Sequence, residues 1–320
     1  MSQIGVSVKR QVDDTAVLAA FIEARVKATG KGSADDRMRY RARFMNLLRS
    51  EEGRQRIEEV TGIPGVSEKL TALYGSKRSE FEAARDDYRQ NIMIEIESRI
   101  GDVGYAVAVG SPSWESFYEF GRLEAALLAQ YGLRECRLLV DVGCGSGRLA
   151  LSLPDSFTGE YLGTDISEPL LNHLSKMRND PRFRFVHVDG LTIPLADGAA
   201  DMVSMFSLLT HLRHEDSFLY LRDTRRVLRS GGTVVFSFLD FSQQHHWSVF
   251  HSTVAAVETG KLHHINQFMS RDLVTAWAEM LEFDVVKIHD GGDEYITCTE
   301  PDGTTRLGSL GQSVAVWRKP

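Results

Sequence analysis

The stretch from Arg137 to Leu151 reads RLLVDVGCGSGRLAL and decides the fold of the chain. It begins with an apolar, β-favouring run that ends at Asp141, and it ends with the apolar start of a predicted helix. Between them lie three glycines at alternate positions, Gly143, Gly145 and Gly147. Glycine lets the backbone approach a ligand where a Cβ would clash, and the first amides of a helix favour polar or anionic groups. The stretch therefore predicts a strand, a tight turn and a helix that together bind a ligand.

The spacing of the glycines separates two classes of ligand-binding turn. The dinucleotide fingerprint G-x-G-x-x-G has its third glycine where this chain has Arg148, which disfavours a nicotinamide- or flavin-dependent oxidoreductase. The pattern D-x-G-x-G-x-G directly after a buried strand instead resembles motif I of the class I S-adenosylmethionine-dependent methyltransferases. This resemblance implies a Rossmann-like fold, with S-adenosyl-L-methionine as the cofactor.

The residues after this turn alternate between predicted strands and helices, as in a parallel sheet. The string VLRSGGTVVFSF resembles the "LKPGG" helix-strand junction of the same family, with Ser230 in place of the usual proline. We predict an α/β fold with a doubly wound, seven-stranded, mostly parallel sheet, an antiparallel last strand and an N-terminal helical region. The predicted strands after the first are Glu160–Thr164, Phe183–Val188, Asp201–Phe206, Thr233–Phe238, Phe283–His289 and Ser313–Arg318.

Several residues are candidates for binding the cofactor. Asp165 follows the glycines by about 20 residues, the spacing at which an acidic residue accepts hydrogen bonds from ribose hydroxyls; capping the next helix is its alternative role. The resemblance implies that Asp189 lies by the adenine amino group. It also implies that Tyr118 and Arg122 reach the methionine end, where a guanidinium can pair with a carboxylate; a surface ion pair is the alternative for Arg122. The full predicted set is Tyr118, Arg122, Asp141, Gly143, Gly145, Asp165, Ile166, Asp189, Gly190 and Phe206.

Histidines are the candidate catalytic residues. His211 follows the fourth predicted strand at its carboxyl end, where ligands bind in open α/β sheets. With an unperturbed pKa of about 6.5, a histidine can act as a general base at neutral pH. The alternative is that His211 braces the following turn, in which case His245 or His246 is the reserve candidate. Residues 241–270 also contain His251, His263 and His264, for which a metal site is the alternative role. We expect no metal site, because no cysteine or carboxylate cluster completes a ligand set there and the side chains of adjacent histidines diverge.

The N-terminal third of the chain is predicted to be helical and contains no recognisable catalytic motif. A turn-rich junction at Gly101–Pro112 divides residues 1–110 from a methyltransferase domain at 111–320, with insertions at about 241–270 and 290–312, the second a predicted hairpin. We expect the N-terminal helices to cover the pocket, and they are also a candidate surface for homo-oligomer contacts. The amphipathic candidates are Val12–Ala28, Ala34–Arg49 and Ser79–Ile100.

Composition limits the class of protein. The chain has 320 residues and a net charge of -7, which argues against generic binding to nucleic acid. No apolar run approaches the ~18 residues of a membrane span, and the N-terminus lacks the apolar core of a signal peptide. Its three cysteines do not have metal-ligand spacing. We therefore expect a cytoplasmic protein that binds a small molecule and contacts neither nucleic acid nor a membrane.

The predicted function is methyl transfer to a small molecule, with an oxygen of a sugar or secondary metabolite as the expected acceptor. The Asn/Asp-Pro-Pro-Tyr/Phe and Pro-Cys sequences of nucleic-acid base methyltransferases are absent from the chain, which argues against base methylation. The alternative is a non-catalytic cofactor-binding or scaffold protein with a methyltransferase fold.

Overall fold

The computed structural model describes residues 55, 58, 80–97, 102–259, 265–299 and 303–320. Contacts divide the chain into two units, Met1–Ala83 and Ala84–Pro320. The division predicted from the sequence, at residues 110/111, differs from this one and stays a prediction. The predicted helices Val12–Ala28 and Ala34–Arg49 lie outside the described residues.

The predicted helix Ser79–Ile100 corresponds to a described helix at Glu80–Glu97. Ser113 is the N-cap of a later helix, and its Oγ accepts a hydrogen bond from the Ser116 N–H at 3.2 Å. Two described helices were not predicted: Val103–Val107, inside the predicted turn-rich junction Gly101–Pro112, and Trp247–Glu258, inside the first predicted insertion. The helices are α1 (Glu80–Glu97), α2 (Val103–Val107), α3 (Trp114–Gln130), α4 (Glu168–Met177), α5 (His214–Val227), α6 (Trp247–Glu258) and α7 (Arg271–Met280). Among the described residues, no helix is long and apolar enough to cross a membrane.

The strands form the predicted sheet with one addition. They are β1 (Leu138–Val142), β2 (Glu160–Asp165), β3 (Phe183–His187), β4 (Ala200–Met205), β5 (Leu228–Asp240), β6 (Phe268–Met269), β7 (Asp284–His289), β8 (Ile296–Thr299), β9 (Thr305–Gly308) and β10 (Ser313–Arg318). Seven lie in the order β3-β2-β1-β4-β5-β10-β7, and β10 is antiparallel to both neighbours, as predicted for the last strand. The short β6 pairs with β5 and makes the sheet eight-stranded. Strands β8 and β9 form a separate hairpin within the second predicted insertion.

Helices cover both faces of this sheet. Leu139 of β1 packs in one core cluster with α3 and α4, while Val140 packs in the opposite cluster with α5 and α7. Neighbouring residues of a strand point to opposite faces, so a strand buried on both faces has a continuous apolar run. The chain leaves β1 toward β3 and then returns to β4 on the other side. This reversal of strand order opens a crevice at the carboxyl ends of β1 and β4.

Two local predictions were wrong. Residues 143–152 form successive turns instead of the predicted helix, although the Leu151 N–H donates to the Gly147 carbonyl at 2.8 Å. Pro154 lacks an N–H and disfavours helical backbone at the residue before it, which leaves no room for a longer helix. Strand β5 begins at Leu228, before the Gly231-Gly232 pair that was expected to precede it.

Candidate functional site

A cavity of about 500 Å³ lies at the crevice between β1 and β4. Its walls come from α1, the segment Val107–Gly110, the glycine turn after β1 and the ends of β2, β4 and β5. The volume lies within the range of small-molecule sites, which commonly occur at such a reversal of strand order. All of these walls belong to the unit Ala84–Pro320.

The glycine turn presents bare backbone to this cavity. Gly145 has a φ of +55°, and a Cβ on it would approach Val109 Cγ1 to 2.6 Å. A Cβ on Gly147 would overlap Leu174 Cδ1 of α4, so this glycine allows close packing of the turn against a helix. The left-handed backbone and the lack of space both exclude a side chain at these positions.

Asp165 holds the turn from the neighbouring strand. It lies at the end of β2, lines the cavity and accepts hydrogen bonds from the backbone N–H groups of Gly145 at 2.9 Å and Ser167 at 2.8 Å. A carboxylate has about four acceptor sites, so it retains capacity for hydroxyl donors of a ligand. Burial raises the pKa of Asp165, while its backbone hydrogen bonds act in the opposite direction.

Asp141 lies beneath the turn at the end of β1. Its carboxylate is buried and accepts hydrogen bonds from the Tyr161 hydroxyl at 2.5 Å and the Ser204 hydroxyl at 2.8 Å. Burial raises the pKa of Asp141 to about 6 in spite of these hydrogen bonds. This carboxyl group therefore titrates only slightly below neutral pH.

Glu124 and Arg148 form a buried ion pair in the cavity wall. Arg148 Nε donates to Glu124 Oε1 at 2.7 Å, and the Glu124 side chain is only 2% exposed. Burial raises the pKa of Glu124 to about 7, although Arg148 lowers it. The sequence analysis missed Glu124. The signal was present, because this glutamate interrupts the apolar run Leu123–Leu128 of α3.

Helix α1 supplies one wall of the cavity; it lies in the N-terminal region expected to cover the pocket, but none of its residues was predicted to line the site. Tyr88, Ile92 and Glu95 line the cavity, and the Tyr88 ring centroid lies 5.5 Å from that of His211. Burial raises the pKa of the Tyr88 hydroxyl, and the charge of Asp165 adds to this effect. The Tyr88 side chain is therefore neutral at physiological pH.

His211 also lines the cavity, in a short turn after β4. Its Nδ1 lies 3.0 Å from the Ile265 carbonyl oxygen. A carbonyl can only accept, so in the neutral ring Nδ1 carries the proton and Nε2 carries the lone pair. The structure thus brings the primary histidine candidate to the cavity and assigns its tautomer.

His245 and His246 are not among the residues that line this cavity. His246 is buried; its Nδ1 accepts a hydrogen bond from the Asp240 N–H at 2.8 Å, and its Nε2 lies 2.9 Å from the Gly311 carbonyl. His245 Nε2 lies 3.2 Å from the same carbonyl. Both histidines therefore join the end of β5 to the segment before β10.

The predicted cofactor residues divide into two groups. Asp141, Gly143, Gly145, Asp165 and Phe206 line the cavity. Tyr118, Arg122, Ile166, Asp189 and Gly190 do not line it.

The residues outside the lining have other contacts. The Tyr118 ring packs against those of Trp114 and Phe117, at centroid distances of 5.9 and 5.4 Å. Arg89 of α1 donates hydrogen bonds to Asp189 Oδ1 at 2.7 Å and to the Ile166 carbonyl at 3.1 Å. The Gly190 carbonyl accepts a hydrogen bond from the Tyr220 hydroxyl at 2.8 Å.

Polar side chains without formal charge line the cavity beyond the ends of β4 and β5. The Ser207 N–H donates to Ser237 Oγ at 2.8 Å, and the Ser237 hydroxyl donates to Gln312 Oε1 at 2.7 Å. Ser207 has a φ of +56°, which is uncommon for a residue other than glycine. Leu239 and Leu310 complete this side with apolar surface. The sequence analysis missed Ser237 and Gln312, because only the folded sheet brings β5 and β10 together.

Comparison with known proteins was made for sequence and for structure. Residues 140–236 match the family described as a methyltransferase domain. A demethylmenaquinone methyltransferase of Staphylococcus aureus (strain MRSA252) is 32% identical over 112 residues, which are 34% of this chain and 46% of that protein. The chain thus matches about half the length of such curated relatives. The crystal structure of magnesium protoporphyrin IX methyltransferase from Synechocystis PCC 6803 with bound SAH is similar in fold, with a TM-score of 0.52 and 13% identity over 75% of this chain and 100% of that chain.

Proposed function

We propose that this chain, which belongs to the class I S-adenosylmethionine-dependent methyltransferases, transfers the methyl group of S-adenosyl-L-methionine to an oxygen atom of a small molecule such as a sugar or secondary metabolite. One observation carries the proposal. A single cavity contains the bare glycine turn, the Asp165 carboxylate and the His211 ring. These are a binding surface for the cofactor and a group able to accept a proton from an acceptor.

The residues of the cavity fit this cofactor. Gly143 and Gly145 line the cavity with backbone alone, and Asp165 retains acceptor capacity for two ribose hydroxyls. The carboxyl groups of Asp141 and Glu124 suit a cationic sulfonium and ammonium. When bound, S-adenosylmethionine supplies an activated methyl group whose leaving group is a neutral sulfide. The protein therefore has to orient the acceptor and remove its proton, with no need to protonate a leaving group.

His211 is the proposed general base. The Ile265 carbonyl fixes the proton on Nδ1, so the neutral ring uses Nε2 to accept a proton from an acceptor hydroxyl. General base catalysis is typically worth about 10²- to 10⁴-fold in rate. This magnitude matters most for an alcohol or phenol, which is a poor nucleophile before it loses its proton.

The other side of the cavity supports an uncharged acceptor. Ser237 and Gln312 offer hydroxyl and amide groups, while Leu239 and Leu310 offer apolar surface. Among the described residues that line the cavity, Arg148 is the one guanidinium, and its contact with Glu124 offsets its charge toward a phosphate or carboxylate on the acceptor. The name of the curated relative, a demethylmenaquinone methyltransferase, is in keeping with a small-molecule acceptor.

We also propose that the end of the predicted N-terminal region, α1 and residues 103–110, covers the cofactor pocket. The support comes from α1 and the segment after α2, since Tyr88, Ile92 and Val109 all line the cavity. A wall made by these residues excludes water from the site of transfer.

Transfer of a labelled methyl group tests the proposed function. The full chain is incubated with methyl-labelled S-adenosylmethionine and a panel of neutral alcohols, phenols and sugars, together with charged analogues of each. We expect label in neutral hydroxyl compounds and a strongly reduced rate with His211→Ala. Label found only in nucleic acid, protein or carbon-methylated products would contradict the proposed acceptor class.

A further inference from the structure

The cavity wall has an unequal distribution of charge. Four carboxyl groups line it, those of Glu95, Glu124, Asp141 and Asp165, and among the described lining residues Arg148 provides the one guanidinium. Three of the four carboxyl groups surround the glycine turn and interact electrostatically in pairs, Glu124 with Asp141 and Asp141 with Asp165. A wall of this kind favours a ligand that brings positive charge.

Charged and titratable groups from several elements surround the Glu124 carboxyl group. It projects from α3, and Arg148 of the glycine turn is its ion-pair partner. Asp141 of β1 and Tyr161 of β2 interact with it electrostatically from below. From the other walls, Tyr88 and Glu95 of α1, Asp165 of β2 and His211 face the same cavity. A change of charge in the cavity therefore acts directly on Glu124.

We infer that this wall distinguishes the methyl donor from its demethylated product by charge, and that Glu124 is a specificity-determining residue that releases a proton to solvent when a cation enters the cavity. The inference rests on the proposed function, and it assigns to Glu124 and Arg148 a role in cofactor exchange. The donor carries a sulfonium cation, whereas the product S-adenosylhomocysteine carries a neutral sulfide with the same ribose, adenine and amino acid groups. The two ligands thus differ in one methyl group and one unit of charge.

The direction of the effect follows from the protonation of the empty cavity. Burial raises the pKa of Glu124 to about 7 and that of Asp141 to about 6, so at about pH 6 Glu124 is mostly protonated and accepts the hydrogen bond from Arg148 as a neutral carboxyl group. A cation nearby favours the carboxylate and expels this proton. Donor binding is therefore linked to proton release and strengthens as the pH rises, whereas binding of the neutral product changes less. After transfer, the product leaves a carboxylate-rich wall that regains its proton.

Calorimetry in paired buffers tests this inference on the wild-type chain. Donor and product are each titrated at about pH 6 in two buffers with different ionisation enthalpies, and the difference in heat gives the number of protons released. We expect about one proton for the donor and clearly fewer for the product, because a group one pH unit below its pKa is about 90% protonated. We also expect the affinity ratio of donor to product to rise about tenfold between about pH 6 and pH 8.

Two variants distinguish the effect of the Glu124 carboxyl group on proton release from the effect of the net charge of the protein. Glu124→Gln should remove most of the difference in proton release between the two ligands. Glu119→Gln is the matched control, because Glu119 lies on the same helix but is exposed and pairs with Arg306 at 3.0 Å; it should leave the difference unchanged. Equal proton release for donor and product in the wild-type chain would overturn the inference. Failure of both ligands to bind would instead contradict the proposed function.

Discussion

The backbone N–H of Gly145 donates a hydrogen bond to the Asp165 carboxylate at 2.9 Å. This contact joins the glycine turn after β1 to the end of β2, and it places an acceptor group beside the bare backbone of the turn. Two features predicted separately from the sequence, the glycines and the acidic residue, are thus parts of one structural unit.

The first prediction concerns Asp165→Ala. We expect cofactor affinity to fall by about 1–3 kcal/mol, because hydroxyl donors of the ligand lose their acceptor. Titration calorimetry with S-adenosylmethionine measures the change. The control is Asp155→Ala, at an exposed position outside the cavity, which should bind as the wild type does. Equal affinity of wild type and Asp165→Ala would show that Asp165 only braces the turn.

The second prediction concerns Gly145→Ala. An alanine here would have an unfavourable positive φ, and its Cβ would overlap Val109 Cγ1. We therefore expect the free energy of unfolding to fall by about 1–3 kcal/mol. Denaturant titration measures it. The double variant Gly145→Ala/Val109→Ala relieves the steric overlap but not the backbone conformation. It should destabilise the protein by less than the sum of the two single changes, and simple additivity would argue against the contact.

The third prediction compares two histidines. His211→Ala should lower the transfer rate by about 10²- to 10⁴-fold, leave cofactor affinity unchanged and remove the acid limb of the pH-rate profile. His246→Ala removes a buried ring that bonds the Asp240 N–H and lies beside the Gly311 carbonyl, so it should lower stability while the rate per folded molecule stays near that of wild type. If His246→Ala lowered the rate per folded molecule and His211→Ala lowered only stability, His246 would be the general base instead.

The fourth prediction concerns the pH dependence of stability in the absence of ligand. Burial raises the folded-state pKa of Glu124 from 4.5 to about 7. Its contribution to stability is therefore fully present below about pH 4.5 and is lost as the pH rises through about 7. The difference in unfolding free energy between Glu124→Gln and wild type should shift in favour of the variant by roughly 3 kcal/mol from about pH 4 to pH 8. A difference that does not change with pH would mean that Glu124 is not desolvated.

The centre of the sheet was predictable because β1, β2 and β4 are buried on both faces. Such strands have continuous apolar runs, and β1, β2 and β4 each end within one or two residues of the predicted position. The helix expected after the glycines was wrong, because a proline three residues beyond Leu151 limits it. Local sequence patterns thus predicted the central strands correctly, but they predicted a helix where the segment after the glycines forms turns.

The candidate site was only partly predictable. The glycines and Asp165 follow from chain spacing, whereas Glu124 and Gln312 reach the cavity through tertiary packing. Tyr118 and Arg122, predicted to reach the methionine end of the cofactor, do not line the cavity. Phe120 and Glu124, each two residues further along α3, do line it. In a helix of 3.6 residues per turn, positions two apart lie on nearly opposite sides.

One measurement tests the central claim most directly. The full chain is titrated with S-adenosylmethionine and, separately, with NAD in a calorimeter. The account predicts saturable binding of S-adenosylmethionine with an affinity in the range of roughly 1 µM to 1 mM that is typical of enzymes and their substrates, and no binding of NAD. Binding of NAD without any binding of S-adenosylmethionine would contradict it.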